Sequence, residues 1–510
     1  MNAENKRMIM AFGLVLIVWL LMPLYYNWLG FSVEETDSKE DVVLEPVESL
    51  EPPLSTANNR RTNNTSKTFA SEEKLINITT DFYTAIVSNR AGGSIIKMTL
   101  HELNGEEYRY IGTYDELGTY QEQDLVSLYP VKNSYCTPCL ASYDPGMGGY
   151  VFLNAPFSVN GDTNTDYILR NDETVTVSFS FIDDSGLEIQ KDVTFYGDSY
   201  EINHDFYISN NNKFYGDHFE LRWDGGLAPT EKIKADDVTF AYAMTGQVDE
   251  SEYINQTSED GNLERQVLGG NTDWVSVRNK YFTAALIADS RGDFATLESY
   301  NGSFPNRKIT PVYSVSIGYP LSVSEIKSRL YMGPLEIENI QKTGTSLDKS
   351  MDFGYSIIAP IGKAVLWFLK FLQKTLQINY GFILIIFAIC VRIITGPLTK
   401  KSFESTQNMQ KIQPLIKKIQ KKYKDNSTKM NQEIMALYKE KGVNPLGGCL
   451  PMLLQMPLLF SLFVVFKSTI EFRGAEFIFW ISDLSQPDII FNLPFTLPLY
   501  GGHVAILPVL

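Results

Sequence analysis

At 510 residues the chain is too long for one ordinary domain. It is 44% hydrophobic and 20% charged with a formal net charge of −16, a balance that excludes general nucleic-acid binding by the whole chain. Four cysteines make no disulfide framework, four scattered histidines have no metal-ligand spacing, and no P-loop, dinucleotide fingerprint or Gly-x-Ser-x-Gly is present, so no catalytic residue, metal or cofactor is expected.

In chain order, Lys6 and Arg7 precede an apolar run from Met8 to Gly30 that is long enough to span a bilayer. No small-residue cleavage site follows, so residues 1–31 are expected to be an uncleaved signal anchor with its N-terminus in the cytoplasm. A cleaved signal peptide is the alternative. Residues 32–71 are rich in Glu, Pro, Asn, Ser and Thr and read as an acidic flexible linker.

Residues 72–345 read as β structure. "TVTVSFSFI" puts Val175, Val177, Phe179 and Phe181 on one face of a strand. "EINHDFYI" does the same with Ile202, His204, Phe206 and Ile208. A large sandwich of one domain fits this length. His204 falls on an apolar face, which predicts a buried, hydrogen-bonded histidine rather than a catalytic one. Cys136-Thr137-Pro138-Cys139 has redox-type spacing, but its flanks read as loop where a low thiol pKa needs a helix N-terminus. A local disulfide or two idle thiols is the expectation.

Residues 346–378 hold an amphipathic segment, Ile357 to Gln377. Its lysines at 363, 370 and 374 share one helix face, and Leu366, Trp367, Phe368 and Leu372 are apolar. A basic helix with aromatic residues beside a span is expected to lie in the membrane interface, with a plain core helix as the alternative. Residues 379–398 are the expected second span. From Lys400 to Lys441 there are eleven lysines against four acids, a net +7 that leaves −23 on the rest. That asymmetry fits positive charge retained inside the cell after an inward-running span. Ile412, Leu415, Ile416, Ile419 and Tyr423 form one helical stripe, and Met430, Ile434, Leu437 and Tyr438 another. Residues 399–446 are therefore expected to form an antiparallel helical hairpin in the cytosol. Residues 447–467 read as a third span, 468–501 as an external loop, and 502–510 as the start of a fourth span.

Arg392 lies inside the second span, about 12 residues or roughly 18 Å from its external end. A charge near the centre of a span costs about 2.5–3.5 kcal/mol on insertion scales. Two readings are open: a long side chain snorkelling to the cytoplasmic head groups, or a wetted cavity around a permanent guanidinium, with Thr395 and Gln455 adding polar lining. Lys417, Lys418, Lys421, Lys422 and Lys424 are candidates for contacts with ribosomal RNA, anionic lipid or client tails. A solvated helix face with no partner is the bland alternative.

The stretch "VRIITGPLTKK", the basic hairpin, "ALYKEKGVNPLGGCLPMLLQMPLLFSLF" and "FWISDLS" together resemble the YidC/Oxa/Alb family of membrane protein insertases. "INITTDFYTAIVSNRAGGSI", "WVSVRNKYFTAALI" and "LYMGPLEIENI" resemble the periplasmic domain of its Gram-negative members. The resemblance implies a mixed fold: a polytopic α-helical membrane core and a large periplasmic all-β domain, a β-supersandwich. It implies a core of five spans around a polar groove, the later of which are absent from these 510 residues. The family's groove arginine falls on Arg392 and the glutamine of its third span on Gln455, while Ala388 stands where relatives often carry a hydroxyl. The function implied is insertion, folding and assembly of inner-membrane proteins without nucleotide hydrolysis, with no enzymatic activity. Nascent membrane proteins, the Sec translocon, the ribosome and membrane lipids are the implied partners, and no specific DNA is. The implied location is the bacterial inner membrane, crossed several times.

Two other function classes compete. A membrane-anchored periplasmic carbohydrate-binding or mutarotase-like protein would need paired histidines, for which His204 and His218 are the candidates. A transporter or channel is disfavoured by few spans and no internal repeat.

Overall fold

The computed structural model describes residues 72–505, apart from 102–106, 116, 132–134, 147, 162–164, 249, 256–262, 305–306, 355–357, 425, 444–449, 488 and 498–500. The expected first span, the acidic linker and residues 506–510 lie outside the described residues.

Residues 72–345 fold as a large all-β domain of two large sheets, with a short two-stranded one formed by Ile111–Tyr114 and Tyr120–Leu125. The smaller runs in the order Asp166–Ile168, Leu75–Thr79, Tyr83–Ser88, Ser94–Leu100, Ser127–Leu128. The larger has thirteen strands. Its centre runs His218–Trp223, Arg307–Pro320, Phe282–Phe304, Glu325–Pro334, Glu201–Ser209, Glu188–Tyr196, Thr174–Ile182. Alternation makes these strands: Ile202, His204, Phe206 and Ile208 are all buried, as are Val177 and Phe179, while the intervening residues are more exposed. Both sheets share one core in which Trp223, Trp274, Tyr83 and Phe179 are fully buried.

Six helices are described. Two are short, α1 (Lys234–Phe240) and α2 (Ile337–Lys342). Then follow α3 (Ala359–Leu376), α4 (Tyr380–Lys422), α5 (Ser427–Lys441) and α6 (Leu450–Ser468). The domain core runs on without a break into α3, α4 and α6 through Val365, Leu366, Leu369, Tyr380, Ile383 and Val465. Among the described residues one helix segment, Tyr380–Pro397, is long and apolar enough to cross a membrane, and Gln455–Ser468 is a shorter apolar one.

Several local expectations meet the structure. Cys136 and Cys139 form a buried disulfide, and Cys139 opens a strand rather than a helix, so neither sulfur has the electropositive, accessible setting that redox exchange requires. Within the stretch 502–510, expected to begin a fourth span, the described residues 502–505 belong instead to a strand, Gly501–Ala505, paired with Ile489–Leu497. Apolar residues alternate with Asn492, Pro494 and Thr496 there, a period of two rather than 3.6.

His204 is buried as expected, but neither ring nitrogen has a hydrogen-bond partner. Its strand neighbours are Val193 on one side and Ser328 on the other, and the Ser328 hydroxyl donates to the His204 backbone carbonyl rather than to the ring. Lys191, on the same sheet, is also fully buried and donates to the carbonyls of Ala91 and Pro138, with its amine over the Phe206 ring. Burial holds both side chains well below their ordinary pKa, and Lys191 depresses His204 further. The folded protein therefore refuses a proton that the unfolded chain accepts on His204 below about pH 6.5. Stability is expected to fall as pH drops below that value, and Lys191, also held below its ordinary pKa, adds a fall of the same sign. Thermal melts of the purified protein between pH 8 and pH 5 should show the fall, and His204→Leu should lessen it.

Candidate functional site

The site is organised by α4. Its first turn is fixed by Asn379, whose side chain accepts from the Gly381 backbone at 2.8 Å. Ile383 and Phe387 are buried, with Phe387 beside Phe368 of α3, and Phe382, Ile385, Ile389 and Ile393 are exposed on the other side. An apolar face left open over a segment long and apolar enough to cross a bilayer suits acyl chains rather than water.

The sequence separates this span from the hairpin at residue 398. The structure does not: α4 is one helix of 43 residues, on the order of 65 Å long, running through Pro397 and Pro414. Each proline removes one helical hydrogen bond. Around Pro397 the hydroxyls of Thr395 and Thr399 bond back to the carbonyls four residues earlier, at 2.8 and 3.0 Å.

Arg392 is exposed on this helix, and Thr395, three residues on, is its neighbour one turn away. Arg392 makes no hydrogen bond or ion pair with a described residue. Gln455 is exposed on α6 and is not bonded to either. Tyr380, the first residue of α4, lies 5.7 Å ring to ring from Phe472, four residues past the end of α6. Arg392 is about 18 Å along α4 from Tyr380, and Gln455 about 20 Å along α6 from Ser468.

Beyond the span, the basic hairpin closes on itself. Ile412, Ile416 and Leu437 are buried between α4 and α5, with Met409, Ile419, Ile434 and Tyr438 packed against them. Of the expected stripes, Ile412, Ile416, Ile419, Ile434, Leu437 and Tyr438 pack here, Tyr423 and Met430 are half-buried outside this cluster, and Leu415 faces out. Asn426 caps α5 by accepting from the Lys429 backbone, and Gly442 ends it in the left-handed conformation. Lys417, Lys418, Lys421, Lys422 and Lys424 are all exposed. The first four present their charge to solvent on a helix continuous with Tyr380–Pro397, and Lys424 lies in the turn just past its end.

The opposite end of the helices holds residues that sequence reasoning passed over. Arg473, read only as part of an external loop, is buried in the β-domain. Its Nε donates to Glu231 at 2.9 Å, Nη1 to the carbonyls of Arg109 and Ile111, and Nη2 to those of Gly112 and Thr230. Gly474 follows with φ +66°, and a Cβ there would sit 2.4 Å from the Tyr108 carbonyl, so only glycine lets this loop pass. Nearby, Lys370 of α3 pairs with Glu338 and with buried Glu471, and Arg109 pairs with Glu336. Burial raises the pKa of Glu336, opposed mainly by Arg109. Lys363 pairs with Asp348, while Trp367 and Phe371 stack together on the open side of α3. The amphipathic helix is thus held to the β-domain on one side and free on the other. No spacing in the sequence signals a pairing 242 residues apart, as between Arg473 and Glu231.

Residues 371–510 match the family described as 60Kd inner membrane protein, and residues 154–368 that described as YidC periplasmic domain. The chain is 31% identical to the membrane protein insertase YidC of Prosthecochloris aestuarii, over 98% of this chain and 83% of that one. This chain belongs to the YidC family of membrane protein insertases. Against the YidC of Chlorobium luteolum it is 36% identical over 68% of its own length, and the match spans 60% of that relative. Membership places the chain in the inner membrane. Among solved structures, a GalM/aldose epimerase homologue from C. elegans aligns over 51% of this chain and 98% of that one, with a TM-score of 0.26 and 12% identity, which carries no argument. The histidine pair of a mutarotase-like site is not assembled here. His218 is exposed at the start of its strand, and four strand spacings, roughly 19 Å, separate that strand from the one bearing buried His204.

Proposed function

We propose that this chain inserts, folds and helps assemble integral inner-membrane proteins, alone or beside the Sec translocon, with Arg392, Thr395 and Gln455 lining a polar groove open to the cytoplasm and to lipid. The observation that carries the reading is that Arg392, exposed part-way down the helix read as a span, lies on the same unbroken helix as exposed Lys417, Lys418, Lys421 and Lys422. The hairpin captures a nascent client through Lys417, Lys418, Lys421, Lys422 and Lys424, which also suit ribosomal RNA or anionic lipid. A hydrophilic client segment enters the groove part-way, where the guanidinium meets its charge with less screening than in water. The client's apolar span then slides into lipid along the open side. Burial of its own apolar surface, about 25 cal/mol per Å², drives the step, and no nucleotide is consumed.

In this reading the β-domain is a periplasmic β-supersandwich, the N-terminus is cytoplasmic, and α4 and α6 belong to a polytopic core. The disulfide of Cys136 and Cys139 supports an oxidising compartment for the β-domain. A photocrosslinker placed at Thr395 or at Gln455 should capture a nascent single-span client during insertion. Crosslinks confined to the hairpin, with none from either position, would overturn the groove.

A further inference from the structure

The loop that follows Arg473 carries an apolar tip. Ile478, Phe479 and Trp480 are exposed in succession, Phe479 by 87%, with the rings of Phe479 and Trp480 stacked. The tip is built rather than slack. The Phe477 backbone donates to the Ile481 carbonyl at 2.9 Å, which closes the loop. Phe479 adopts φ +62°, a conformation that a bulky side chain rarely takes, and it is there that its ring is presented outward. The base of the loop is fixed to the outer end of the span. The Phe477 ring lies 5.4 Å from that of Phe382, edge to face, and occupies the space that a Cβ on Gly381 would need, 1.9 Å away.

We propose that Ile478, Phe479 and Trp480 insert into the outer leaflet of the bilayer, at the boundary of head groups and acyl chains. The proposal rests on the reading of Tyr380–Pro397 as a membrane span. Its argument is continuity: the tip is fixed beside Phe382, the first residue of the open apolar stripe that continues through Ile385 and Ile389. Acyl chains that cover that stripe therefore reach the level of the tip. The residue types agree, since Trp is favoured at the interface, and the polar residues Glu476, Ser482 and Asp483 bracket the tip. Trp367 and Phe371 on the open side of α3 form a second aromatic pair. Inserted to about 5–10 Å, the two would hold the span at a set depth.

The test is a depth measurement on the whole chain in vesicles of phosphatidylethanolamine and phosphatidylglycerol. Cys390 and Cys449 are changed to serine, the buried disulfide is left oxidised, and a nitroxide is attached at Phe479→Cys and, separately, at Trp480→Cys. Ile385→Cys reports the span and Tyr207→Cys the water-facing β-domain. Collision with oxygen relative to an aqueous nickel chelate should be roughly tenfold higher at both tip sites than at Tyr207, and near the ratio at Ile385. Tip labels that match Tyr207 while Ile385 remains in lipid would overturn the proposal, leave the span reading intact, and assign the patch to a protein partner. If Ile385 also reports water, the span reading fails and the proposal with it.

Discussion

Replacing Arg473 by methionine should loosen the junction between the β-domain and the helices more than any other single change outside the sheets. The guanidinium has five N–H donors, and all are used: one on Glu231 and four on the backbone of residues 109–112 and 230. Both side chains of the ion pair are almost wholly buried. Removing one partner strands a carboxylate in low dielectric and leaves carbonyls without donors, a loss of about 3–5 kcal/mol. At about 2–4 °C per kcal/mol for a unit of this size, the melting temperature in detergent should fall by on the order of 10 °C. Arg473→Lys should fall nearly as far, because an ammonium has three donors and no fork to reach four carbonyls. Adding Glu231→Gln to Arg473→Met should restore part of the loss, since the stranded charge is then gone. A drop below about 1 kcal/mol in the single variant would mean that the arginine is packed but bears no strain of the junction.

Much of the fold is legible in the sequence because most of it is periodic. Period two in 174–182 and 201–209 gives strands with the right faces, and the stripes through Ile412, Ile416 and Leu437 give the hairpin. Lys191 shows the limit. It stands on the inward face of its strand with Ile189, Val193 and Phe195, and alternation alone does not tell a tolerated lysine from a misassigned face. Two carbonyls from distant segments decide it. The same holds for Arg473, whose partners come from segments 242 to 364 residues away. Pro397 misleads in the other direction. A proline after glycine at the end of an apolar run is a good stop signal, yet α4 continues, with two threonine hydroxyls bonded to the carbonyls beside it. Of the candidate site, the positions are legible and the relations are not. Arg392 stands out because charge inside a span is costly, whereas no sequence signal says that the start of α4 packs against the turn that follows α6.

Changing Arg392 separates charge from anatomy. In insertase-depleted cells, insertion of a single-span client with an acidic tail should fall by about tenfold or more with Arg392→Ala and further with Arg392→Glu. The attraction that is lost between unit charges at about 4 Å is roughly 1 kcal/mol in bulk water and 4 kcal/mol at an effective dielectric of 20. The latter describes a groove partly walled by protein, and about 1.4 kcal/mol already gives tenfold. Arg392→Lys should retain most activity, because an ammonium supplies the same charge and no fixed partner in the structure demands the planar fork. A client with a neutral tail should be less sensitive to all three changes, which distinguishes loss of attraction from loss of folding. Equal insertion by all three variants, with an unchanged client range, would make Arg392 a residue whose long stem snorkels to the head groups. The work of the groove would then fall to its hydration by Thr395 and Gln455, and the double change of those two would be the more damaging one.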